Sequence, residues 1–236
     1  MPAQEFENRV AIVTGASSGI GRATAELFVE RGARVAVFAR SAGKLKALAK
    51  KWGDRMLAVA GDVSDPKSVE RLFAATESRF GRCDILVNDA GTYVSKRIDR
   101  MSDRDWDRVF AVNVRGAFLT TRRAVKSMIA RRRGAIVNVA SISGVIGPEK
   151  FPGFSAYCAS KAALISFTES LAVELKEHAI RVNCVSPGSV DTAMWAAVSG
   201  GAPSAMTPAE VAEVILFLAS ERSRPINGQN IHVYSA

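Results

Sequence analysis

The sequence predicts an α/β fold: a three-layer, doubly wound parallel sheet forming a single domain over residues 1–236. Three observations lead there. Short solid apolar runs alternate along the chain with apolar residues at helical spacing, the pattern of strand–helix–strand units joined by right-handed crossovers. The first run passes directly into a glycine-rich turn that opens the first helical stripe. Neither a Pro/Gly linker nor an internal repeat divides the chain, and α/β folds reach about 250 residues as one unit.

The strands are read from the solid runs. Val10-Ala-Ile-Val13 is too short for a helix and is bounded by Gly15. Val35-Ala-Val-Phe38, Met56-Leu-Ala-Val59, Ile85-Leu-Val87, Ala135-Ile-Val137 and Val182-Asn-Cys-Val185 have the same character. Such runs suit parallel strands covered on both faces. Between them, Ile20, Ala23, Leu27 and Phe28 share one helical face after Gly19, and Val69, Leu72 and Phe73 share another after Asp65-Pro66, with proline just inside the helix start. Thr207-Pro-Ala-Glu210 is a capping box, followed by the stripe Val211, Val214, Ile215 and Leu218. Residues 189–206 are rich in Ala, Gly and Ser without a stripe, and read as a mobile loop near the carboxyl ends of the strands, where such sheets bind ligands.

Composition narrows the function. A hydrophobic fraction of 48% and a charged fraction of 23% exclude global disorder. No apolar stretch approaches the ~18 residues of a membrane span. The start, Met1-Pro-Ala-Gln-Glu-Phe-Glu-Asn8, is wrong for a signal peptide. Cys83, Cys158 and Cys184 have no paired spacing, so the natural compartment is a reducing cytoplasm. With only His178 and His232, a histidine-built metal site and histidine acid–base chemistry are disfavoured, and no metal is expected. The net charge is +9, and most of the excess lies in residues 94–133, where twelve basic residues face four acids. That segment is either a solvated helical surface or a docking face for an anionic partner; nucleic acid is disfavoured because the cluster lacks interleaved aromatics.

Thr14-Gly-Ala-Ser-Ser-Gly-Ile-Gly21 follows the first strand and opens the first helix. Gly15, Gly19 and Gly21 allow a tight turn and close approach of a pyrophosphate, to which the helix N-terminus offers amides and a positive dipole end. The spacing G-x-x-x-G-x-G resembles the short-chain dehydrogenase/reductase family, a Rossmann fold. Further motifs extend the resemblance nearly end to end: Asp62-Val63 after the third strand; Asn88-Asp-Ala-Gly91 after the fourth, resembling N-N-A-G; Asn113 in Asn-Val-Arg-Gly; Ser141 ending the fifth; Tyr157-Cys-Ala-Ser-Lys161, a Y-x-x-x-K; and Pro187-Gly-Ser-Val-Asp-Thr192.

The resemblance implies a nicotinamide cofactor held by Gly15, Ser17, Ser18, Gly19, Ile20, Gly21, Arg40, Ser41, Asp62, Val63, Asn88, Ala90, Gly91, Tyr157, Lys161, Pro187, Gly188, Val190 and Thr192. The acid that would hold the ribose 2′-hydroxyl of NAD(H) belongs at the end of the second strand. Ala39, Arg40 and Ser41 stand there instead. A guanidinium can pair with a 2′-phosphate, so NADP(H) is favoured over NAD(H).

Asn113, Ser141, Tyr157 and Lys161 are the implied catalytic set. Tyr157 and Lys161 lie four residues apart and share a helix face, where an ammonium is expected to lower the pKa of the phenol from its usual value near 10, which makes it more acidic. By resemblance, Tyr157 exchanges the proton, Ser141 holds the substrate oxygen and Asn113 orders a water linking Lys161 to solvent. A nucleophilic serine is disfavoured for want of a histidine base.

Three departures stand out. Asp89 replaces the second Asn of N-N-A-G and needs hydrogen-bond partners. The 16-residue gap between Ser141 and Tyr157 is longer than usual, as if Pro148-Glu-Lys150 were inserted beside the substrate pocket, which leaves Ser143 as an alternative serine. The segment 192–207 is short for a substrate lid. The pattern most resembles 3-oxoacyl-carrier-protein reductases, which implies a carbonyl reductase for a ketone or secondary alcohol, an acidic carrier protein docking near residues 122–133, and a homo-oligomer, tetramer or dimer, built on residues 113–131 and 155–176. The alternatives are a dehydrogenase of another small alcohol, sugar, steroid or cyclic ketone, and a non-catalytic cofactor-binding regulator.

Overall fold

The computed structural model describes residues 4–148 and 150–234. Seven strands form one all-parallel sheet: β1 (Val10–Thr14), β2 (Arg34–Ala39), β3 (Met56–Ala60), β4 (Ile85–Asn88), β5 (Gly134–Val139), β6 (Ile180–Pro187) and β7 (Asn230–Val233). Their spatial order is β3-β2-β1-β4-β5-β6-β7. The chain builds outward from β1 to β3 and then returns to place β4 on the other side of β1. That reversal opens a crevice at the carboxyl ends of β1 and β4, where ligands bind in sheets of this kind.

The expected strands are all present, each extended by a residue or more at one or both ends. β7 was not anticipated. Asn230-Ile-His-Val233 is short, polar at alternate positions and only half-buried, because an edge strand needs an apolar covering less than a central one.

The described residues form eight α-helices: α1 (Gly19–Glu30), α2 (Ala42–Trp52), α3 (Pro66–Phe80), α4 (Asp103–Phe110), α5 (Gly116–Arg131), α6 (Ser155–Glu174), α7 (Ala193–Val198) and α8 (Pro208–Ala219). Side chains alternate along each strand, so β1 sends Ala11 and Val13 to one face and Ile12 to the other. The first face packs on Phe28, Leu45, Ile215 and Leu216 from α1, α2 and α8. The second packs on Leu72, Phe73, Leu119, Met128 and Leu171 from α3, α5 and α6. Completely burying a side chain of this size contributes about 1.5–3 kcal/mol, and two such cores fix the sheet as a rigid platform for the loops above it.

Helix starts follow local chemistry. Asp65 caps α3, accepting from the amides of Lys67 at 3.1 Å and Ser68 at 3.0 Å. The Thr207–Glu210 capping box forms at α8, the Glu210 carboxylate accepting from the Thr207 amide at 2.7 Å. The region read as a mobile loop without a helical stripe, 189–206, includes a short helix. This is α7, capped by Thr192, and the ends of the region are tied by a bridge between Val190 and Met206. A helix as short as α7 has too few residues to show an apolar period, which is why the pattern missed it.

Candidate active site

The β1–α1 turn is shaped by glycines at two decisive positions. Gly15 has φ +73°, and a side-chain carbon there would lie 2.8 Å from the Ala90 amide nitrogen. At Gly21 such a carbon would lie 2.5 Å from Asp89 Oδ2. Any larger residue would force the turn away from the β4 loop. Thr14 completes the junction: its hydroxyl accepts from the amides of Asp89 at 3.2 Å and Ala90 at 3.1 Å. At the N-terminus of α1, a place that favours an anion, Ser18 makes no side-chain cap and no acid lies in the first turn.

From this turn a cleft of about 320 Å³ runs over the sheet. Gly15, Ser17, Ser18, Gly19 and Ile20 form one wall; Arg40, Ser41, Asp62 and Val63 lie toward one end; Ala90, Gly91, Tyr157, Lys161 and Thr192 close the rest. Asp62 keeps one oxygen on Ser64, accepting from its amide at 2.9 Å and its hydroxyl at 2.7 Å, so it shapes its own turn while facing the cleft. A glycine cradle that a Cβ would fill, a helix N-terminus without a side-chain cap from Ser18 and a cleft lined by both polar and apolar groups fit a dinucleotide.

Several expected contacts lie elsewhere. Asn88 is buried below the cleft and is not on its wall. Its amide group donates to Asn138 Oδ1 at 2.9 Å and Thr121 Oγ1 at 3.2 Å, and its carbonyl oxygen accepts from Thr120 at 2.7 Å. Asn138 in turn donates to Thr168 at 2.9 Å. This chain of buried side chains fastens α5 and α6 to β4 and β5, and no local motif announced Asn138, Thr120, Thr121 or Thr168. Pro187, Gly188 and Val190 line a second cavity instead.

That second cavity, about 780 Å³, adjoins the cleft, and Tyr157, Ile20, Ala140, Thr192 and Met194 belong to both. Ser141 and Ser143 lie on its wall, along with Tyr93, Phe154, Trp195, Met206 and Tyr234, and no charged side chain lines it among the described residues. Tyr93 and Phe154 stack with centroids 5.9 Å apart. Phe151 and Pro152, from the longer loop before α6, also reach this wall. Of the presumed insertion, Glu149 lies outside the described residues.

The four chemical side chains come from three parts of the fold. Tyr157 and Lys161 lie on α6; Ser141 follows β5; Asn113 sits in a π-turn over Ala111–Arg115 between α4 and α5. Such bulges concentrate at functional sites. Asn113, 1% exposed, accepts from the Thr92 amide at 2.8 Å and donates to the Thr92 carbonyl and Ser160 hydroxyl, both at 2.9 Å. Lys161 Nζ donates to the Val139 carbonyl at 2.7 Å and lies 5.7 Å from the Tyr157 ring centre. Ser141 Oγ accepts from the Ser143 amide at 3.1 Å, and it is Ser141, not Ser143, that lies close enough to the Tyr157 phenol to act on its ionisation.

The electrostatics correct one expectation. Burial pushes Tyr157 up to about 12, Ser141 pulling it partly back and Asp89 adding to the rise. Lys161 is itself lowered by burial, with the Asp89 carboxylate opposing that effect. Desolvation is the largest influence on the phenol, which is held in its protonated form. Asp89 has the partners it needs, a backbone hydrogen bond from Gly21 and the charge of Lys161, yet burial still raises it well above the usual carboxylate range.

These features have close counterparts. A model of the short chain dehydrogenases matches residues 9–202. The chain belongs to the short-chain dehydrogenase family. It is 39% identical over 239 residues to nodulation protein G of Rhizobium sp. (strain N33), covering 97% of this chain and 96% of the other. It is 36% identical over 238 residues to the 3-oxoacyl-[acyl-carrier-protein] reductase FabG of Escherichia coli (strain K12), with the same coverages. Among solved structures, the 3-ketoacyl-(acyl-carrier-protein) reductase from Brucella melitensis complexed with NADH superposes with a TM-score of 0.88 at 32% identity over 97% of each chain. A short chain dehydrogenase/reductase family protein reaches 0.89 at 36% identity, covering 98% of this chain and 97% of that one. The fold is therefore the family's Rossmann sheet, and the protein is an oxidoreductase of this family.

The basic segment 94–133 is less free than its composition suggests. Arg123 pairs with Glu77 at 2.7 Å, Arg131 with Asp84 at 2.6 Å and Arg133 with Glu221 at 2.7 Å. Arg104, Arg108, Arg122 and Lys126 remain exposed. Among the described residues no helix is long and apolar enough to cross a membrane, and no cluster of His, Cys, Asp and Glu could hold a metal ion.

Proposed function

We propose that the protein is a carbonyl reductase that moves a hydride between NADP(H) and an uncharged, largely apolar ketone or its secondary alcohol. The observation that carries this reading is the position of Tyr157, shared by the polar cleft and the apolar cavity, with Ser141 beside its hydroxyl. When bound, the nicotinamide supplies or accepts the hydride. Ser141 holds the substrate oxygen, and Tyr157, protonated by virtue of its burial, donates to that oxygen in the reducing direction. Lys161 lies in the cleft to hold the cofactor ribose and to return a proton to Tyr157. Asn113 fixes the Thr92 segment against α6 and orders the water that connects Lys161 to solvent.

NADP(H) is the preferred form because the acids lining the cleft among the described residues are Asp62 and Asp89, and neither stands at the end of β2. Arg40 does, exposed and able to pair with a 2′-phosphate. The uncharged second cavity suits an acyl chain or an alicyclic or aromatic carbonyl more than a sugar or a free acid. A carrier-bound acyl substrate fits as well, its acidic carrier resting on Arg104, Arg108, Arg122 and Lys126. Trp106 and Phe118, more than a third exposed on α4 and α5, support a homo-oligomer, tetramer or dimer, and the thiols of Cys83, Cys158 and Cys184 suit the cytoplasm.

The test is a panel of neutral ketones, charged keto acids and a carrier-bound 3-oxoacyl substrate, each with NADPH and NADH. Neutral apolar carbonyls should be reduced preferentially with NADPH, and turnover of the carrier-bound substrate alone should fall steeply with ionic strength. Absence of turnover on every carbonyl would leave a cofactor-binding regulator as the better description.

A further inference from the structure

We propose that Asp89 makes dinucleotide affinity depend on pH, so that the cofactor binds with uptake of a proton at this carboxyl group. This rests on the cleft being the dinucleotide site. The turn after β4 is pinned to β1 through Thr14, which fixes where the Asp89 side chain can go. It goes to the start of α1, against Gly21, whose amide it accepts. In the unliganded protein Asp89 is thus the anion at a helix N-terminus that Ser18 leaves uncapped. The pyrophosphate of a dinucleotide draws on the same turn of amides. Two anions cannot both be served well by one helix end in a desolvated cleft.

The groups facing Asp89 are few. From α6 come Lys161, whose ammonium is held by the Val139 carbonyl, and Tyr157, which is neutral; from α1 comes the Gly21 amide; the Thr14 hydroxyl of β1 engages Asp89 only at its backbone amide. One cation therefore offsets one carboxylate, and an incoming anionic pyrophosphate leaves the balance negative. Burial already holds the Asp89 carboxyl far enough up that a proton is cheaply taken at neutral pH. A neutral carboxyl keeps the Gly21 hydrogen bond through its carbonyl oxygen while dropping the repulsion. Asparagine at this position would do the same without a proton.

The experiment is calorimetric titration of the full-length protein and of Asp89→Asn with NADH and with NADPH, from about pH 6 to about pH 9, in buffers of different ionisation heat. The wild type should take up a proton on binding, and its Kd should weaken by up to about tenfold per pH unit at the alkaline end. Asp89→Asn should show little dependence and bind more tightly there, with an unchanged melting temperature confirming its fold. NADH carries no 2′-phosphate, so a slope seen with it cannot come from that group. A wild type that binds without proton uptake, or a variant that keeps the full slope, overturns the proposal while leaving the cofactor reading intact. Failure of either protein to bind either dinucleotide at any pH removes both.

Discussion

Lys161 lies with its ammonium 5.7 Å from the centre of the Tyr157 ring, but its hydrogen bond runs to the carbonyl of Val139 at 2.7 Å. One helical turn of separation brings the two side chains together, as the Y-x-x-x-K spacing requires. It does not make the phenol acidic. Both groups are withdrawn from water, and each is pushed toward its neutral form. These surroundings favour Tyr157 as a proton donor.

Removing the Tyr157 hydroxyl should abolish this donor without disturbing the dinucleotide wall. For Tyr157→Phe, kcat for ketone reduction should fall by about 10²–10⁴-fold. Affinity for NADPH, followed by fluorescence titration, should change no more than about threefold. Unaltered turnover would end the assignment of Tyr157 as acid.

The same burial has a consequence for alkaline stability. An unfolded tyrosine ionises near pH 10, whereas Tyr157 in the fold is held up to about 12. The unfolded chain releases this proton first, so Tyr157 costs no stability below about pH 10 and destabilises progressively as pH rises from there toward 12. Tyr157→Phe should lose less melting temperature than the wild type over that window. Ultraviolet titration of the wild type should show a tyrosine ionising near pH 12 that is missing from the variant.

Arg40 should discriminate between the two dinucleotides. Replacing it by Asp should weaken NADPH binding by about ten- to a hundredfold, the worth of a charge-assisted phosphate contact, and leave NADH unaffected or improved. Equal losses for both would show that Arg40 acts only as a general cation.

Gly15→Ala tests the cradle. The added methyl meets the Ala90 amide nitrogen at 2.8 Å from a backbone at φ +73°. Such strain costs of order 1–3 kcal/mol, so chemical denaturation should show a loss of that size, accompanied by weaker binding of either dinucleotide.

Thr207→Ala removes one half of a capping box whose residues line neither the cleft nor the adjoining cavity. It should cost about 1 kcal/mol in denaturant unfolding and leave kcat and KM unchanged, because the Thr207 and Glu210 contacts serve only the start of α8.

What the sequence determined by itself was whatever lies within a few residues of chain. Six strands, the glycine turn, the caps at Asp65 and Thr207, and the shared face of Tyr157 and Lys161 are local patterns with local causes. Tertiary structure decided the rest. β7 is a strand because β6 leaves an edge to pair with, and α7 is ordered because Val190 bridges Met206. Asn88 turns inward because Thr120, Thr121 and Asn138, distant in sequence, supply its hydrogen bonds. The ionisation of Tyr157, Lys161 and Asp89 depends most of all on the fold, since desolvation sums over everything packed around a group and no spacing of residues along the chain encodes that sum.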